Sequence, residues 1–141
     1  MKAGYLEEEP TKSVHVELSL KDVQYVEFGI HDIRYHLPER VVHQQVESLV
    51  EFTDLLEEMQ ENDFIKLDSH LLVNLRKIKK YAPSEGKLYF DESYEGPSVT
   101  IASLPQRKFH LLLLEAEAAN TGTKLVNKSN QSGSFVPKLF P

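Results

Sequence analysis

The sequence contains no cysteine among its 141 residues. This absence excludes disulfide scaffolds, cysteine zinc sites, iron–sulfur clusters and thiol nucleophiles. Long apolar runs are missing as well, since runs such as Leu111–Leu114 are far shorter than the roughly 20 residues of a membrane helix. Three glutamates at positions 7–9 occupy the region where a signal peptide would have its apolar core. We therefore expect a cytoplasmic protein without membrane insertion.

Motifs of catalysis are equally scarce. The sequence has no glycine-rich phosphate loop, no H-E-x-x-H zinc motif and no G-x-S-x-G motif. Its six histidines show no spacing typical of metal ligands. The adjacent Asp68, Ser69 and His70 favour a polar loop over a catalytic triad, because neighbours on a strand point to opposite sides. We expect no catalytic residues, no metal and no cofactor, and an enzyme on an unrelated small β fold is the weakest alternative.

Charge is unevenly distributed along the chain. The formal net charge of −6 argues, taken alone, against nucleic acid as a partner. Residues 1–63 carry 15 acidic and 5 basic side chains, whereas residues 64–110 carry 8 basic and 5 acidic ones. Either the charges are distributed unevenly over faces that only contact solvent, or the two segments face different partners.

The first half of the chain shows two hydrophobic periods. Alternation at period two predicts strands at 14–20, 23–28, 31–37 and 41–46. At Ser48 the period changes, and Ser48 with Glu51 forms an S-x-x-E capping box. An apolar stripe of Leu49, Phe52, Leu56 and Met59, flanked by Leu55, then predicts an amphipathic helix over about 48–61.

Short strands dominate the second half. We predict them at 64–67, 71–73, 78–81, 87–91 and 99–102, followed by a terminal helix at 104–114. Residues 1–13 are predicted to be a flexible lead-in, 14–115 one domain, and 116–141 a disordered tail rich in small polar residues. The fold class is mostly β with one short helix.

One loop stands out as a candidate recognition element. Asp68, Ser69 and His70 lie between two apolar segments, which would present their side chains rigidly. A basic cluster follows at 76–80. Such a combination suits a polyanion whose phosphates fix the register. The alternative, that these bases merely solubilise a hairpin, stays open on local sequence alone.

Ordered motifs over residues 14–114 resemble the LytTR DNA-binding domain, the output domain of the LytR, AlgR and AgrA regulators. Residues 22–27 (DVQYVE) are similar to its D-I-x-Y-I-E strand, and the capped helix at Ser48 resembles its S-L-x-E-L helix. Residues 63–66 (DFIK) are similar to x-F-x-R, residues 71–78 (LLVNLRKI) to Y-I-V-N-L-x-x-I, and residues 99–103 (VTIAS) to I-P-V-S-R.

The resemblance implies an elongated stack of small β-sheets whose loops enter successive major grooves of DNA. His31 falls at a family DNA contact, and Lys66 replaces a family arginine. Asp68 and Ser69 replace the usual His-Arg or His-Asn, and Ser103 replaces a closing arginine that Arg107 and Lys108 follow closely. The candidate DNA-binding residues are His31, Lys66, Asp68, Ser69, His70, Lys77, Lys79, Lys80, Ser103, Arg107 and Lys108.

Two functional hypotheses follow from this resemblance. The first is a stand-alone bacterial transcription regulator that binds double-stranded DNA at promoter repeats, with a homodimer on the DNA and no receiver domain. The second is a divergent module that has lost specific DNA binding and acts in protein interaction, with the acidic helix face over 47–61 as the surface for a regulatory protein partner. Asp68, Ser69 and Ser103 favour the second hypothesis, because none of them can replace an arginine at guanine or phosphate.

Overall fold

The computed structural model describes residues 2–9, 12–93 and 96–122. These residues belong to two compact units, an N-terminal unit of residues 1–74 and a C-terminal unit of residues 75–141. Together they contain two β-sheets and two α-helices, so the predicted mostly-β fold class is confirmed. Among the described residues, neither helix has the length and apolar character that crossing a bilayer requires.

The N-terminal unit is built on one antiparallel sheet of seven strands, in the order β2-β1-β5-β4-β3-β7-β6. The strands are β1 (Lys2–Glu9), β2 (Lys12–Glu17), β3 (Tyr25–Phe28), β4 (Asp32–His36), β5 (Val41–Gln45), β6 (Phe64–Asp68) and β7 (Leu71–Asn74). A 3-10 turn, Leu20–Asp22, joins β2 to the central strands.

The central strands follow the predicted alternation. In β4, Ile33 and Tyr35 are completely buried, while Asp32, Arg34 and His36 are half-buried on the opposite face. The Tyr35 hydroxyl donates to Gln44 Oε1 at 2.6 Å, which satisfies both polar groups inside the core. One face of the sheet therefore forms the core, and the other carries the charged residues.

Helix α1 (Leu49–Glu61) covers the core face of this unit. Its predicted cap is confirmed, since the Ser48 hydroxyl accepts the Glu51 N–H at 3.1 Å. The predicted apolar stripe is partly wrong: Leu55 and Met59 are the buried residues, whereas Leu49 is 79% exposed. Leu49 lies almost one turn before Phe52, the first helical residue that packs on the core cluster, so it extends past the core.

The C-terminal unit contains a three-stranded antiparallel sheet and a long helix. Its elements are a 3-10 turn (Leu75–Lys77), β8 (Lys80–Ala82), β9 (Lys87–Tyr89), β10 (Ser98–Thr100) and α2 (Ser103–Thr121). Asn120 Nδ2 donates to the carbonyls of Leu75 and Ile78 at 2.7 and 2.8 Å. The Glu117 carboxylate accepts the Tyr81 N–H at 2.8 Å. These bonds attach the last turns of α2 to the segment before the sheet and to its first strand.

Secondary structure extends into the segments on both sides of the predicted domain. Strand β1 lies in the segment predicted to be a flexible lead-in, and β2 begins at Lys12. Helix α2 continues through the first residues of the predicted tail to Thr121, where Gly122 in the left-handed region (φ 72°) ends it. Residues 123–141 lie outside the described residues, and the domain limits of 14 and 115 stay a prediction.

Candidate nucleic-acid interface

The connection between β3 and β4 forms a short, fixed ridge of residues 29–32. Gly29 N–H donates to the Asp32 carbonyl at 2.8 Å, and Val46 N–H donates to the His31 carbonyl at 2.9 Å. The first bond closes the ridge between its first and last residues, and the second ties His31 to the residue that follows β5. Its tip carries Ile30, which is 92% exposed, and the exposed His31.

A close approach of the Asp32 side chain occurs at Gly29. A Cβ atom at this position would lie 2.0 Å from Asp32 Oδ1 and 3.3 Å from Arg34 Nη1. The missing side chain thus leaves room for the Asp32 carboxylate, whose other oxygen accepts from Arg34 Nη1 at 3.2 Å.

The turn between β6 and β7 contains the predicted recognition loop. Asp68 Oδ1 accepts the His70 N–H at 2.7 Å, an Asx-type bond that closes the turn. The His70 carbonyl accepts the Phe28 N–H at 2.8 Å, which ties the turn to β3. Ser69 and His70 remain exposed. Asp68 therefore shapes the turn that presents its two neighbours, a role that sequence analysis did not foresee.

The ridge and the turn share one surface cavity of about 420 Å³. Its lining includes His31 from the ridge, Ser69 and His70 from the turn, and Ser48 and Leu49 from the start of α1. A second cavity of about 540 Å³ borders the ridge and is lined in addition by Arg34, His43 and Gln45. The structure thus brings His31 together with Ser69 and His70, although 38 or more positions separate them in sequence.

Charges on the outer face of β3 and β4 are largely paired with one another. Arg34 lies 3.2 Å from Asp32 and 3.8 Å from Glu27. His36 Nε2 bonds the Glu27 carboxylate, and the His36 ring stacks on Tyr25 with centroids 4.0 Å apart. Burial lowers the pKa of His36 below 6.5, against the opposing effects of its hydrogen bond to Glu27 and of the Glu27 charge. Desolvation therefore outweighs the carboxylate, and the neutral ring is favoured.

Lys66 is an exposed residue of β6, directly opposite Leu72 of β7. It lies two positions before Asp68, with an irregularity of the strand pairing between them. The Lys66 ammonium group therefore belongs to an exposed residue close in sequence to the β6–β7 turn, and it is a candidate phosphate contact.

Three candidate lysines lie at the start of the C-terminal unit, and two of them contact α2. Lys79 Nζ donates to the Asn120 carbonyl at 3.3 Å, and Lys80 Nζ lies 3.9 Å from Glu117. Lys77, at the end of the 3-10 turn, is half-buried. Substituting Lys79 or Lys80 would disturb the attachment of α2 as well as any DNA contact.

The remaining candidates lie in the first two turns of α2. Ser103 is the first residue of the helix, and Ser103, Arg107 and Lys108 are exposed. Residues four apart are neighbours on a helix, with Cβ atoms about 5–6 Å apart. Arg107 is thus one turn from Ser103, the position at which the resemblance expects an arginine.

Comparison with known proteins identifies the family. The LytTr DNA-binding domain matches residues 13–109, which is more than half of the chain. The chain belongs to the LytTR family of DNA-binding domains. The match includes Arg107 and Lys108, so the LytTR domain extends into α2. The LytTR assignment suggested by the ordered motifs is therefore confirmed.

A solved LytTr DNA-binding domain from Bacillus cereus has a similar fold. It shares 22% sequence identity with this chain at a TM-score of 0.54, covering 80% of this LytTR chain and 97% of the other. No curated protein matches the chain.

Sequence reasoning missed two features of the candidate interface. They are the close approach at Gly29 and the exposed apolar side chain of Ile30. No cluster suited to a metal ion occurs among the described residues.

Proposed function

We propose that this LytTR domain is the output module of a transcription regulator and binds double-stranded DNA in a sequence-specific manner. The observation that carries the proposal is the cavity shared by His31, Ser69 and His70, because two bonded loops there offer hydrogen-bonding side chains side by side. Cytoplasmic location and a homodimer on promoter repeats are further parts of the proposal.

Base reading is assigned to the N-terminal unit. Imidazole and hydroxyl groups can donate to or accept from the edges of bases in the major groove. His31, Ser69 and His70 are all exposed, and their loops are fixed by backbone hydrogen bonds. A fixed loop loses less conformational freedom on binding, which favours affinity.

Phosphate binding is assigned to cationic side chains of both units. They are Lys66, Lys77, Lys79, Lys80, Arg107 and Lys108. Lys79 and Lys80 also attach α2 within the chain, so the exposed Arg107 and Lys108 are the cleaner phosphate contacts to test. Ser103 can donate one hydrogen bond to a phosphate, while the neighbouring Arg107 supplies the positive charge that serine lacks.

Selection from a random duplex pool by the full chain tests the proposal. We expect an enriched motif with repeated half-sites. His31→Ala should relax the preference at one base position of that motif, because it removes a base contact. Lys108→Ala should weaken binding to all sequences by a similar factor, because it removes a phosphate contact.

Lys21→Ala is the matched control, since Lys21 is exposed on the first 3-10 turn and belongs to neither loop. It should leave both affinity and preference unchanged. Failure to enrich any motif, together with no retention of duplex at low salt, would refute the proposal.

Protein interaction is the second candidate function, and two exposed apolar residues favour it. Leu49 and Val50 in the first turn of α1 are 79% and 72% exposed. They adjoin the exposed acidic residues Glu47 and Glu51. If the chain retains no DNA, a basic, partly apolar protein surface is the partner that this helix fits best.

A further inference from the structure

Ile30 is the most exposed large apolar side chain of the described residues. It is 92% exposed at the tip of the ridge, and it follows Gly29, whose N–H is bonded across the turn. An isoleucine in this position contributes almost nothing to the core and therefore little to the stability of the fold. Its role must be sought in what the ridge contacts.

The ridge lies between two depressions. On one side the cavity is lined by Ser69 and His70, and on the other by Arg34, His43 and Gln45. Carboxylates are present too: Glu47 lines the first cavity and Asp32 lines both, but Asp32 is paired with Arg34 at 3.2 Å. A narrow projection flanked by hydrogen-bonding side chains fits a groove whose two walls are sugar–phosphate backbones.

The geometry points to Ile30 as a specificity-determining residue that contacts the C5-methyl group of a thymine. This inference rests on the proposed function, since it names one base that the same interface reads. In the major groove, thymine alone among the four bases presents a methyl group, and apolar side chains contact it. Ile30 adjoins His31, so the thymine lies next to the base that His31 reads.

The fixed turn makes this contact selective. Because the Gly29 N–H bonds the Asp32 carbonyl and the His31 carbonyl accepts the Val46 N–H, the backbone on both sides of Ile30 is held, which limits its withdrawal from a polar base edge. If a cytosine amine or a purine took the place of the thymine, the apolar side chain of Ile30 would face an unsatisfied polar group, which is unfavourable.

A uracil scan of the selected duplex tests the inference. Replacing one thymine at a time by uracil deletes only the methyl group and preserves base pairing. At one thymine of each half-site we expect about a fourfold loss of affinity, because the burial of one methyl group against Ile30 is lost. Ile30→Ala should bind the thymine duplex about as weakly as the native chain binds the uracil duplex. It should show no further loss on uracil.

Two control variants separate this role from neighbouring ones. Leu49→Ala changes another exposed apolar residue at the same cavity and should keep the preference for thymine over uracil. His31→Ala should lose affinity but keep that preference. The inference is overturned if the native chain binds DNA without distinguishing uracil from thymine at any position, or if Ile30→Ala still distinguishes them. Failure to bind any duplex would instead refute the proposed function, and this inference with it.

Discussion

Asp68 is a residue of the β6–β7 turn, which we propose to face DNA. By charge alone its carboxylate would repel phosphates, and the resemblance expects histidine in this region. Its Oδ1 accepts the His70 N–H at 2.7 Å and so holds the turn that presents Ser69 and His70. The Asp68 carboxylate therefore has a structural role as a hydrogen-bond acceptor, which does not depend on its negative charge.

Two substitutions separate the shape of Asp68 from its charge. Asp68→Asn keeps an oxygen that accepts the His70 N–H and removes one negative charge, so we expect DNA affinity to increase by a few-fold at low salt. Asp68→Ala removes the acceptor and should lower the affinity. Titration of the selected duplex with both variants provides the measurement, and a lower affinity for Asp68→Asn than for Asp68→Ala would contradict this assignment.

His36 gives the fold a pH dependence of known sign. Burial lowers its pKa in the folded state below 6.5, so below this pH the unfolded chain binds more protons than the folded one. The contribution of His36 to stability is present above pH 6.5 and is lost as the pH falls through the folded-state pKa. Urea unfolding at pH 7.5 and 5.5 should show a smaller decrease for His36→Gln than for the native chain. An equal decrease in both would contradict this account.

Among the helices and strands, the sequence predicts those whose formation is determined by a local hydrophobic or capping pattern. Alternation in 31–37 and 41–46 matches β4 and β5, and Ser48 with Glu51 marks the start of α1. Strand β1 lacks such alternation and carries three glutamates, and its pairing with β2 and β5 is a tertiary property. The last turns of α2 are likewise held by contacts of Asn120 with residues 75 and 78.

In the candidate interface, too, local patterns predict some features, whereas others depend on tertiary contacts. The β6–β7 loop was recognised from its flanking apolar segments, because a polar triplet between two strands is a local signal. Its proximity to His31 depends on the antiparallel pairing of β3 with β7, which no local pattern encodes. Ile30 was missed because an isolated apolar residue in a turn has no periodicity.

The β3–β4 ridge depends on a glycine, which makes a sharp element-level prediction. In Gly29→Ala the new Cβ would lie 2.0 Å from Asp32 Oδ1, so the carboxylate must rotate away and weaken its pair with Arg34. We expect a loss of DNA affinity with a destabilisation of about 1 kcal/mol.

Gly96→Ala is the control for this change, because it also adds a Cβ atom in tight contact, 3.3 Å from the Asp91 Cβ, but lies in the C-terminal unit and outside the ridge. Urea unfolding and duplex binding measure the two effects separately. Unchanged DNA binding by Gly29→Ala would show that the ridge does not need its fixed shape.

For the whole molecule, net charge is a poor guide to its partner. The chain has a formal charge of −6, yet the segment 64–110 carries a net positive charge. Many of the acids lie on the exposed side of α1 or pair with Arg34 and His36 on β4. The family match covers parts of both units, and each unit carries residues that we propose as DNA contacts.

The salt dependence of duplex affinity tests the central claim most directly. Titrations of the selected duplex with the full chain between about 50 and 200 mM salt should show log affinity falling linearly with log salt, by about 0.9 for each phosphate neutralised. Arg107→Ala should reduce this slope by about 1, and Lys21→Ala should leave it unchanged. Duplex binding that is absent at the lowest salt, or that does not vary with salt, would contradict the assignment of this chain as a DNA-binding regulator.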